Sequence, residues 1–177
     1  MKYIFGYGSL MNRFNLKERN NIKNKDFIPV TILNLKRNLI EYNQFNQKHN
    51  QYNLQYLGVK DKIGYITNGV LIQVEDDELE RLDVREKFYV RKTIDASRII
   101  FNYGCPIFFN KDDEVYTYYT NYDDFNITDT KYNKSEQTIN YILICLKGCI
   151  DINKEFLIDF IKTTPDIYEV ILDIIKK

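Results

Sequence analysis

Two short stretches of the chain combine residue types that can do chemistry. The first is FGYGSL at residues 5–10, which follows a run of strand-forming residues at the N-terminus. A turn of this kind at a strand end can direct several backbone N–H groups toward an anion or a carbonyl oxygen. The stretch lacks the third glycine of a dinucleotide-binding loop and the Gly-Lys-Ser/Thr of a phosphate loop. By itself it predicts either an ordinary turn or an anion-binding loop.

The second stretch is LDVREKFYVR at residues 82–91, in which Glu86 lies between a short predicted helix and an apolar predicted strand. A carboxylate at such a junction can be drawn into a pocket, where its pKa rises and it exchanges protons near neutral pH. The alternative is a solvated run of charged residues. Composition alone favours the solvated run.

Covalent catalysis and a metal centre are both disfavoured by the residue types present. Ser9 has no histidine near it in sequence to activate its hydroxyl, and the chain has one histidine, at position 49. The three cysteines, at positions 105, 145 and 149, show no metal-binding spacing with histidine. We therefore assign Ser9 to binding, expect reduced and buried thiols, and expect no metal.

The elements around these stretches are predicted to form a β-rich first two-thirds. A polar run rich in Asn and Gln at 42–56 indicates a surface loop or an irregular edge strand. Asn68-Gly69 indicates a tight turn or a close approach of two backbones. An acidic helix begins near Glu75 and ends near Asp83. Strand patterns cover residues 2–5, 27–40, 63–74, 89–94, 97–101 and 115–119, with 97–101 paired to 89–94.

The last third changes to helical periodicity. Ser135 is placed to cap a helix that ends at Gly148, Asn153 to cap a second, and Thr164-Pro165 to open a third. The fold class is therefore α+β, with a mostly antiparallel sheet or small barrel. At 177 residues we expect a single domain, 1–177, made of a β-rich part over about 1–126 and a helical extension over about 135–177 packed on it.

Composition narrows the classes of partner. Lys+Arg and Asp+Glu number 25 each, so no overall positive field attracts nucleic acid or an anionic membrane. No apolar run is long enough to span a bilayer, and the N-terminus lacks the pattern of a signal peptide. We expect a cytoplasmic protein that binds a small molecule; the sequence does not predict its oligomeric state.

Taken together, FGYGSL, NGVL at 68–71 and LDVREKFYVR, in this order and spacing, resemble the γ-glutamylcyclotransferase family. The segment 141–164 resembles a helical extension carried by one branch of that family. The resemblance implies a small mixed β-barrel flanked by helices. It also implies cofactor-independent cleavage of a γ-glutamyl amide, in which the substrate α-amine attacks its own carbonyl and 5-oxoproline and a free amine or amino acid are released.

The resemblance also assigns site residues. Glu86 takes the position of the general acid/base, and Tyr7, Gly8, Ser9 and Leu10 form the substrate-binding loop. Arg37 matches an arginine that the family often has in its second strand and is a further pocket candidate. A tyrosine hydroxyl or an arginine suits a substrate carboxylate, and the candidates of this kind are Tyr89, Arg91, Tyr116 and Tyr118.

Two other functions stay open from the sequence. The same pocket can serve a binding module that holds an acidic small molecule without turnover, an alternative motivated by the looser match of 13–62 and the absence of tryptophan. The other function is that of a scaffold whose helical tail, 135–177, binds a partner. This function requires an exposed apolar face on that tail.

Overall fold

The computed structural model describes residues 1–20, 22, 25–43, 53–104, 107–123, 127–165 and 167–176. Within these ranges the chain forms seven strands and five α-helices. The strands are β1 (Lys2–Gly6), β2 (Phe27–Asn43), β3 (Asn53–Val74), β4 (Tyr89–Thr93), β5 (Ile99–Ile100), β6 (Glu114–Thr120) and β7 (Ile127–Asp129). The helices are α1 (Arg13–Asn20), α2 (Asp76–Arg85), α3 (Glu136–Ile152), α4 (Lys154–Thr163) and α5 (Ile167–Ile175).

The seven strands belong to one mixed sheet. Its order is β4-β6-β1-β3-β2-β5, and β7 pairs with the far end of β2. β1 pairs antiparallel with β3 and parallel with β6, and the remaining pairs are antiparallel. With helices gathered in the C-terminal region, the α+β class predicted from sequence periodicity is confirmed.

Strand β3 contacts the end of β6, although the two strands are not neighbours in the sheet order. Gly58 of β3 lies so close to the Thr120 hydroxyl that a Cβ atom at position 58 would overlap it. Nearby, the Tyr119 hydroxyl donates to Asp61 Oδ1 over 2.9 Å. A glycine in β3 therefore allows two strands that are not hydrogen-bonded neighbours to touch.

The β2–β3 hairpin is longer and more continuous than predicted. β2 is one strand with a bulge between Leu33 and Leu35, where Asn34 adopts φ 56°. Asn68 and Gly69 lie inside β3 and pair with β2, so the predicted turn is wrong and the alternative, a close backbone approach, holds: a Cβ atom on Gly69 would overlap the Gly6 carbonyl oxygen. β2 extends to Asn43, and β3 begins at Asn53. Residues 44–52, which include His49, lie outside the described residues.

Strand partners and two short elements also differ from the prediction. β5 pairs with β2, whereas β4 pairs with β6. β7 lies between the predicted β-rich part and the predicted helical extension, and neither β7 nor α1 was predicted. β5 and β7 contain only two and three residues, so their place is set by pairing with β2 and not by a local pattern.

The C-terminal helices begin where capping residues predict. The Ser135 hydroxyl accepts a hydrogen bond from the Thr138 N–H at 3.2 Å, and Asn153 Oδ1 accepts from the Phe156 N–H at 2.8 Å. The third predicted cap is wrong: Thr164 is the C-cap of α4, and its hydroxyl donates to the Phe160 carbonyl oxygen at 2.6 Å. α5 begins later, at Ile167.

Gly148 does not end α3, which continues for four residues to Ile152. A Cβ atom at position 148 would lie 2.6 Å from the Met11 carbonyl oxygen and 2.9 Å from the Asn12 nitrogen. The glycine is therefore required where α3 packs against the backbone that follows β1.

Replacing Gly148 by alanine is expected to destabilise the fold, although alanine favours a helix interior by about 1 kcal/mol over glycine. The new Cβ meets backbone atoms that cannot rotate away, and overpacking of this kind costs about 1–3 kcal/mol or more. Urea unfolding measures the net loss. Gly104→Ala is the control, because no atom lies within 4 Å of a Cβ at that exposed position. A Gly148→Ala variant whose urea midpoint equals or exceeds that of wild type would show that the close contact does not require glycine.

The core lies between the sheet and the C-terminal helices. Its largest fully buried side chains include Phe5, Phe156, Phe160 and, unusually, Arg37. Cys145 and Cys149 are buried free thiols, as predicted, and Cys105 lies outside the described residues. In the described part of the chain, no helix is long and apolar enough to cross a membrane.

Candidate active site

The turn after β1 forms the first wall of the site. β1 ends at Gly6, where a Cβ atom would lie 2.8 Å from Leu10 Cβ, so glycine lets the chain fold back tightly. A 3₁₀ turn follows over Ser9–Met11 with Gly8 as its N-cap, and its first hydrogen bond joins the Met11 N–H to the Gly8 carbonyl at 3.0 Å. The N–H groups of Ser9 and Leu10 precede that bond, which is the position from which helical turns offer donors to ligands.

Tyr7 fixes this turn to the neighbouring strand. Its buried hydroxyl donates to the Tyr118 carbonyl oxygen of β6 at 2.6 Å. Burial raises the pKa of Tyr7 well above its ordinary value, so the side chain stays neutral across the physiological pH range.

The path from β3 through α2 explains how Glu86 reaches the same place. β1 and β3 are antiparallel, with Lys2 opposite Val74, so β3 ends beside the start of β1. α2 then contributes ten residues, or about 15 Å, which matches the roughly 16 Å that the five residues of β1 span. The end of α2 can therefore lie near the end of β1, where the turn begins.

Glu86 is held at a defined point between α2 and β4. α2 opens with a capping box between Glu75 and Glu78, as the acidic start predicts, and Glu86 is its C-cap. The Glu86 N–H donates to the Leu82 carbonyl at 2.8 Å, and its carbonyl accepts from the Tyr89 N–H at 2.8 Å. The helix end and the strand start thus both fix the backbone of Glu86.

The Glu86 carboxylate lies in a largely dry environment next to one cation. Its side chain is 15% exposed, and burial raises the pKa of this carboxyl group above the ordinary glutamate value. Arg85 acts against that shift, because its Nε lies 3.1 Å from Glu86 Oε1. The Arg85 Nη2 also donates to the Ser9 hydroxyl at 2.8 Å. The guanidinium therefore links Glu86 to the turn after β1.

Two adjoining cavities meet at these residues. The large cavity has a volume of about 250 Å³ and the small cavity about 20 Å³. Ser9, Glu86, Tyr89 and Tyr141 line both. The small cavity is completed by Tyr7, Gly8, Leu10, Leu57 and Tyr118, and the large one by Asn15, Ile40, Tyr56, Arg85, Phe88, Ile127 and Ile144. The structure thus places Glu86 and the turn of residues 8–10 in the walls of the same pair of cavities.

Tyrosines supply most of the polar atoms of the remaining wall. The Tyr89 hydroxyl donates to the Leu57 carbonyl at 3.0 Å, and the Leu57 N–H donates to the Tyr141 hydroxyl at 3.3 Å. Burial raises the pKa of both tyrosines well above its ordinary value. A Cβ atom at Gly8 would lie 2.7 Å from the Tyr141 hydroxyl oxygen, so glycine at position 8 leaves room for this wall.

Arg37 does not line either cavity. It is fully buried, donates to Asn68 Oδ1 and the Thr164 hydroxyl at 2.9 Å each, donates also to the Asn68 carbonyl, and stacks over the Phe160 ring at 4.3 Å. Burial lowers the pKa of Arg37 to about 10. The structure therefore places this predicted pocket residue in contacts that tie β2 to β3 and α4.

Tyr116 also lies outside both cavities, whereas Tyr118 lines the small one. The two residues are on the same face of β6, but Tyr116 is two residues, or about 7 Å, farther from the strand end at the site. Its ring faces the Arg91 guanidinium at 4.9 Å, and Arg91 in turn lies 3.4 Å from Asp83. Of the tyrosines predicted from sequence, Tyr7, Tyr89 and Tyr118 line the small cavity.

Sequence reasoning did not identify Arg85, Tyr56 or Tyr141. Arg85 belongs to a run of charged residues and was not distinguished from it, although its position next to Glu86 in the sequence could have indicated a role in the site. Tyr141 belongs to α3, and only tertiary packing brings it to Gly8. Among the described residues, no group of three His, Cys, Asp or Glu side chains is arranged to hold a metal ion.

A family model described as "Gamma-glutamyl cyclotransferase, AIG2-like" matches residues 4–135. The chain belongs to this family. The match includes the turn of residues 7–10 and Glu86, and it ends before α3, so the cyclotransferase model does not cover the helix that carries Tyr141. No curated protein matches the chain in sequence.

Solved structures share the cyclotransferase fold. A protein named gamma-glutamyl cyclotransferase is 16% identical, with a TM-score of 0.63 over 89% of this chain and 85% of that one. An uncharacterized human protein is 18% identical, with a TM-score of 0.64 over 99% and 98%. A yeast gamma-glutamyl cyclotransferase specific to glutathione is 14% identical, with a TM-score of 0.55 over 91% and 94%.

Proposed function

We propose that this protein is a γ-glutamyl amide cyclotransferase in which Glu86 is the general acid/base. One observation carries the proposal: the Glu86 carboxylate and the turn of residues 8–10 line the same pair of cavities. Family membership supports the reaction class. The chemistry follows from what these groups can do to a substrate that carries both an ammonium group and an amide.

The first step is activation of the nucleophile inside the substrate. The α-amino group is an ammonium at neutral pH and cannot attack until it loses a proton. A buried Glu86 carboxylate with a raised pKa is a suitable acceptor for that proton. The free amine then attacks the γ-carbonyl carbon of the same molecule and forms a five-membered ring. Because both reacting groups belong to one molecule, binding in a folded-back shape supplies much of the rate gain.

The second step is collapse of the tetrahedral intermediate. We assign the stabilisation of negative charge on the former carbonyl oxygen to the N–H groups of Ser9 and Leu10, two residues that line the small cavity. The small cavity, at about 20 Å³, suits a single oxygen-sized group. Protonated Glu86 returns its proton to the departing nitrogen and the amide C–N bond breaks. The re-formed Glu86 carboxylate then takes the second proton from the ring nitrogen and passes it to the released amine, so that neutral 5-oxoproline and a protonated amine leave.

The large cavity is assigned to the rest of the substrate. Its volume of about 250 Å³ exceeds that of the small cavity more than tenfold, and its walls include Tyr56, Phe88 and Ile144. The leaving group therefore lies against a mainly apolar surface. One relative is named as specific to glutathione, and glutathione is accordingly one of the substrates to be tested.

The proposal is tested by incubating purified protein with γ-glutamyl amino acids, γ-glutamylamines and glutathione and measuring 5-oxoproline. Release of 5-oxoproline with an equal amount of free amine is the expected result. Thermal stabilisation by 5-oxoproline or glutamate with no product from any substrate would instead favour the alternative, a binding module that uses the same pocket.

Turnover is expected to fall as the pH is lowered, with a midpoint above the ordinary glutamate pKa. Burial raises the pKa of Glu86, and the group must be ionised to accept the proton, so activity is present above that raised pKa and lost below it. The pH dependence of kcat/KM between pH 4 and 9 measures this limb for the free enzyme. A midpoint at or below that of an exposed glutamate would contradict the assignment of the base.

A further inference from the structure

Arg85 is the one cation that lines the site among the described residues, and it contacts both functional walls. Its Nη2 donates to the Ser9 hydroxyl at 2.8 Å, and its Nε lies 3.1 Å from Glu86 Oε1. We propose that Arg85 is a positioning residue, which fixes the separation between the turn of residues 8–10 and the Glu86 carboxylate and holds a positive charge next to that carboxylate. For its effect on turnover, this inference rests on the proposed function.

The geometry of the guanidinium explains why one side chain can do this. Nε–H and Nη2–H point the same way from one edge of the planar group, an edge that often binds a single carboxylate through two parallel hydrogen bonds. Here that edge is shared between the Ser9 hydroxyl and Glu86 Oε1. The two acceptors are therefore held side by side. A lysine ammonium has no such rigid edge.

The local structure favours a cation at this point. Arg85 is the last residue of α2, where the helix dipole attracts positive charge. Its side chain is only 18% exposed, so water screens its interaction with Glu86 less than it would at the surface. Two acceptors, on two different elements, thus hold the guanidinium in a partly buried position.

The surroundings of Glu86 make Arg85 the group that opposes the effect of burial. Tyr7 of the turn after β1, Tyr89 of β4, Tyr118 of β6 and Tyr141 of α3 also line the site, and burial raises the pKa of each, so these phenols are neutral near pH 7. Asp83 of α2 accepts from the Tyr118 hydroxyl and lies near Arg91, outside both cavities. Removing the charge of Arg85 leaves burial unopposed at Glu86.

A purely structural role and a positioning role predict different results for substitutions. Arg85→Gln removes the charge, so the acidic limb of kcat/KM is expected to move to higher pH by about one unit, with an approximately tenfold lower plateau. Arg85→Lys keeps the charge and is expected to leave the acidic limb in place. It loses the shared edge, however, so kcat is expected to fall several-fold.

The experiment compares wild type, Arg85→Gln and Arg85→Lys in kcat and kcat/KM from pH 4 to 9. Arg81→Gln is the matched control, because Arg81 lies one turn earlier on α2, pairs with Asp77 and does not line either cavity. It is expected to leave the acidic limb and the plateau unchanged. An unshifted acidic limb in Arg85→Gln, or an unchanged kcat in Arg85→Lys, overturns the inference.

A second readout keeps the inference separate from the proposed function. Carboxyl ¹³C NMR of glutamate-labelled protein, with Glu86→Gln used to assign the Glu86 signal, follows the titration of Glu86 directly. Arg85→Gln is expected to move that titration to higher pH even if no substrate is turned over. A Glu86 titration midpoint that is the same in wild type and Arg85→Gln overturns the inference whatever the activity.

Discussion

Glu86→Gln is expected to lower 5-oxoproline release by about 10²–10⁴-fold, the usual contribution of a general acid/base. Glutamine keeps the size and shape of the side chain but accepts no proton from the substrate ammonium. The loss is expected in kcat more than in KM, because the substrate still meets the turn of residues 8–10. Steady-state kinetics with the best substrate of the panel measures it.

The matched control is Glu80→Gln, an exposed glutamate on the same helix. It is expected to behave as wild type. Unfolding curves for both variants show whether the fold is intact, since loss of activity through unfolding would not concern the role of the carboxylate. A folded Glu86→Gln variant with full turnover would remove Glu86 from the mechanism.

Arg37→Ala is expected to cause the largest loss of stability among the substitutions considered, about 2–5 kcal/mol, because it leaves a cavity and unpaired buried acceptors. The truncation removes the donor to Asn68 Oδ1, to the Asn68 carbonyl and to the Thr164 hydroxyl, and all of these acceptors are buried. It also leaves a void next to the Phe160 ring. Urea unfolding monitored by circular dichroism measures the change.

Arg81→Ala is the control for loss of an arginine at a half-buried surface position, with an expected change below about 1 kcal/mol. Because Arg37 does not line the cavities, conditions in which Arg37→Ala remains folded are expected to give a KM close to that of wild type. A stable variant with a strongly raised KM would return Arg37 to the substrate-binding role inferred from sequence.

Local signals account for the parts of the fold that the sequence predicted well. The caps Ser135 and Asn153 and the acidic start of α2 each involve residues within one helical turn, so their hydrogen bonds depend little on the rest of the molecule. The same holds for the strand and turn of residues 2–10. Here sequence and structure agree to within one or two residues.

Long-range packing accounts for the parts that were missed. Gly148 was interpreted as a helix end because the backbone of Met11, more than 130 residues away, was not part of any local pattern. β5 and β7 are too short to show a period and are defined by pairing with β2. The burial of Arg37 beneath α4 likewise required the tertiary structure.

The candidate site combines both kinds of information. The turn of residues 7–10 and Glu86 were selected by the joint occurrence of two motifs, and their meeting follows from the antiparallel β1–β3 pair and the length of α2. The walls contributed by Tyr56 and Tyr141 come from β3 and α3, where no motif assigned either residue to the site.

The most direct test of the central claim, attack by the substrate's own amine, is turnover in H₂¹⁸O followed by mass spectrometry. The predicted result is unlabelled 5-oxoproline in an amount equal to the free amine, with no ¹⁸O-glutamate, since no water enters an intramolecular cyclisation. Glutamate carrying ¹⁸O in its γ-carboxyl group would show hydrolysis by water and would contradict the proposed reaction.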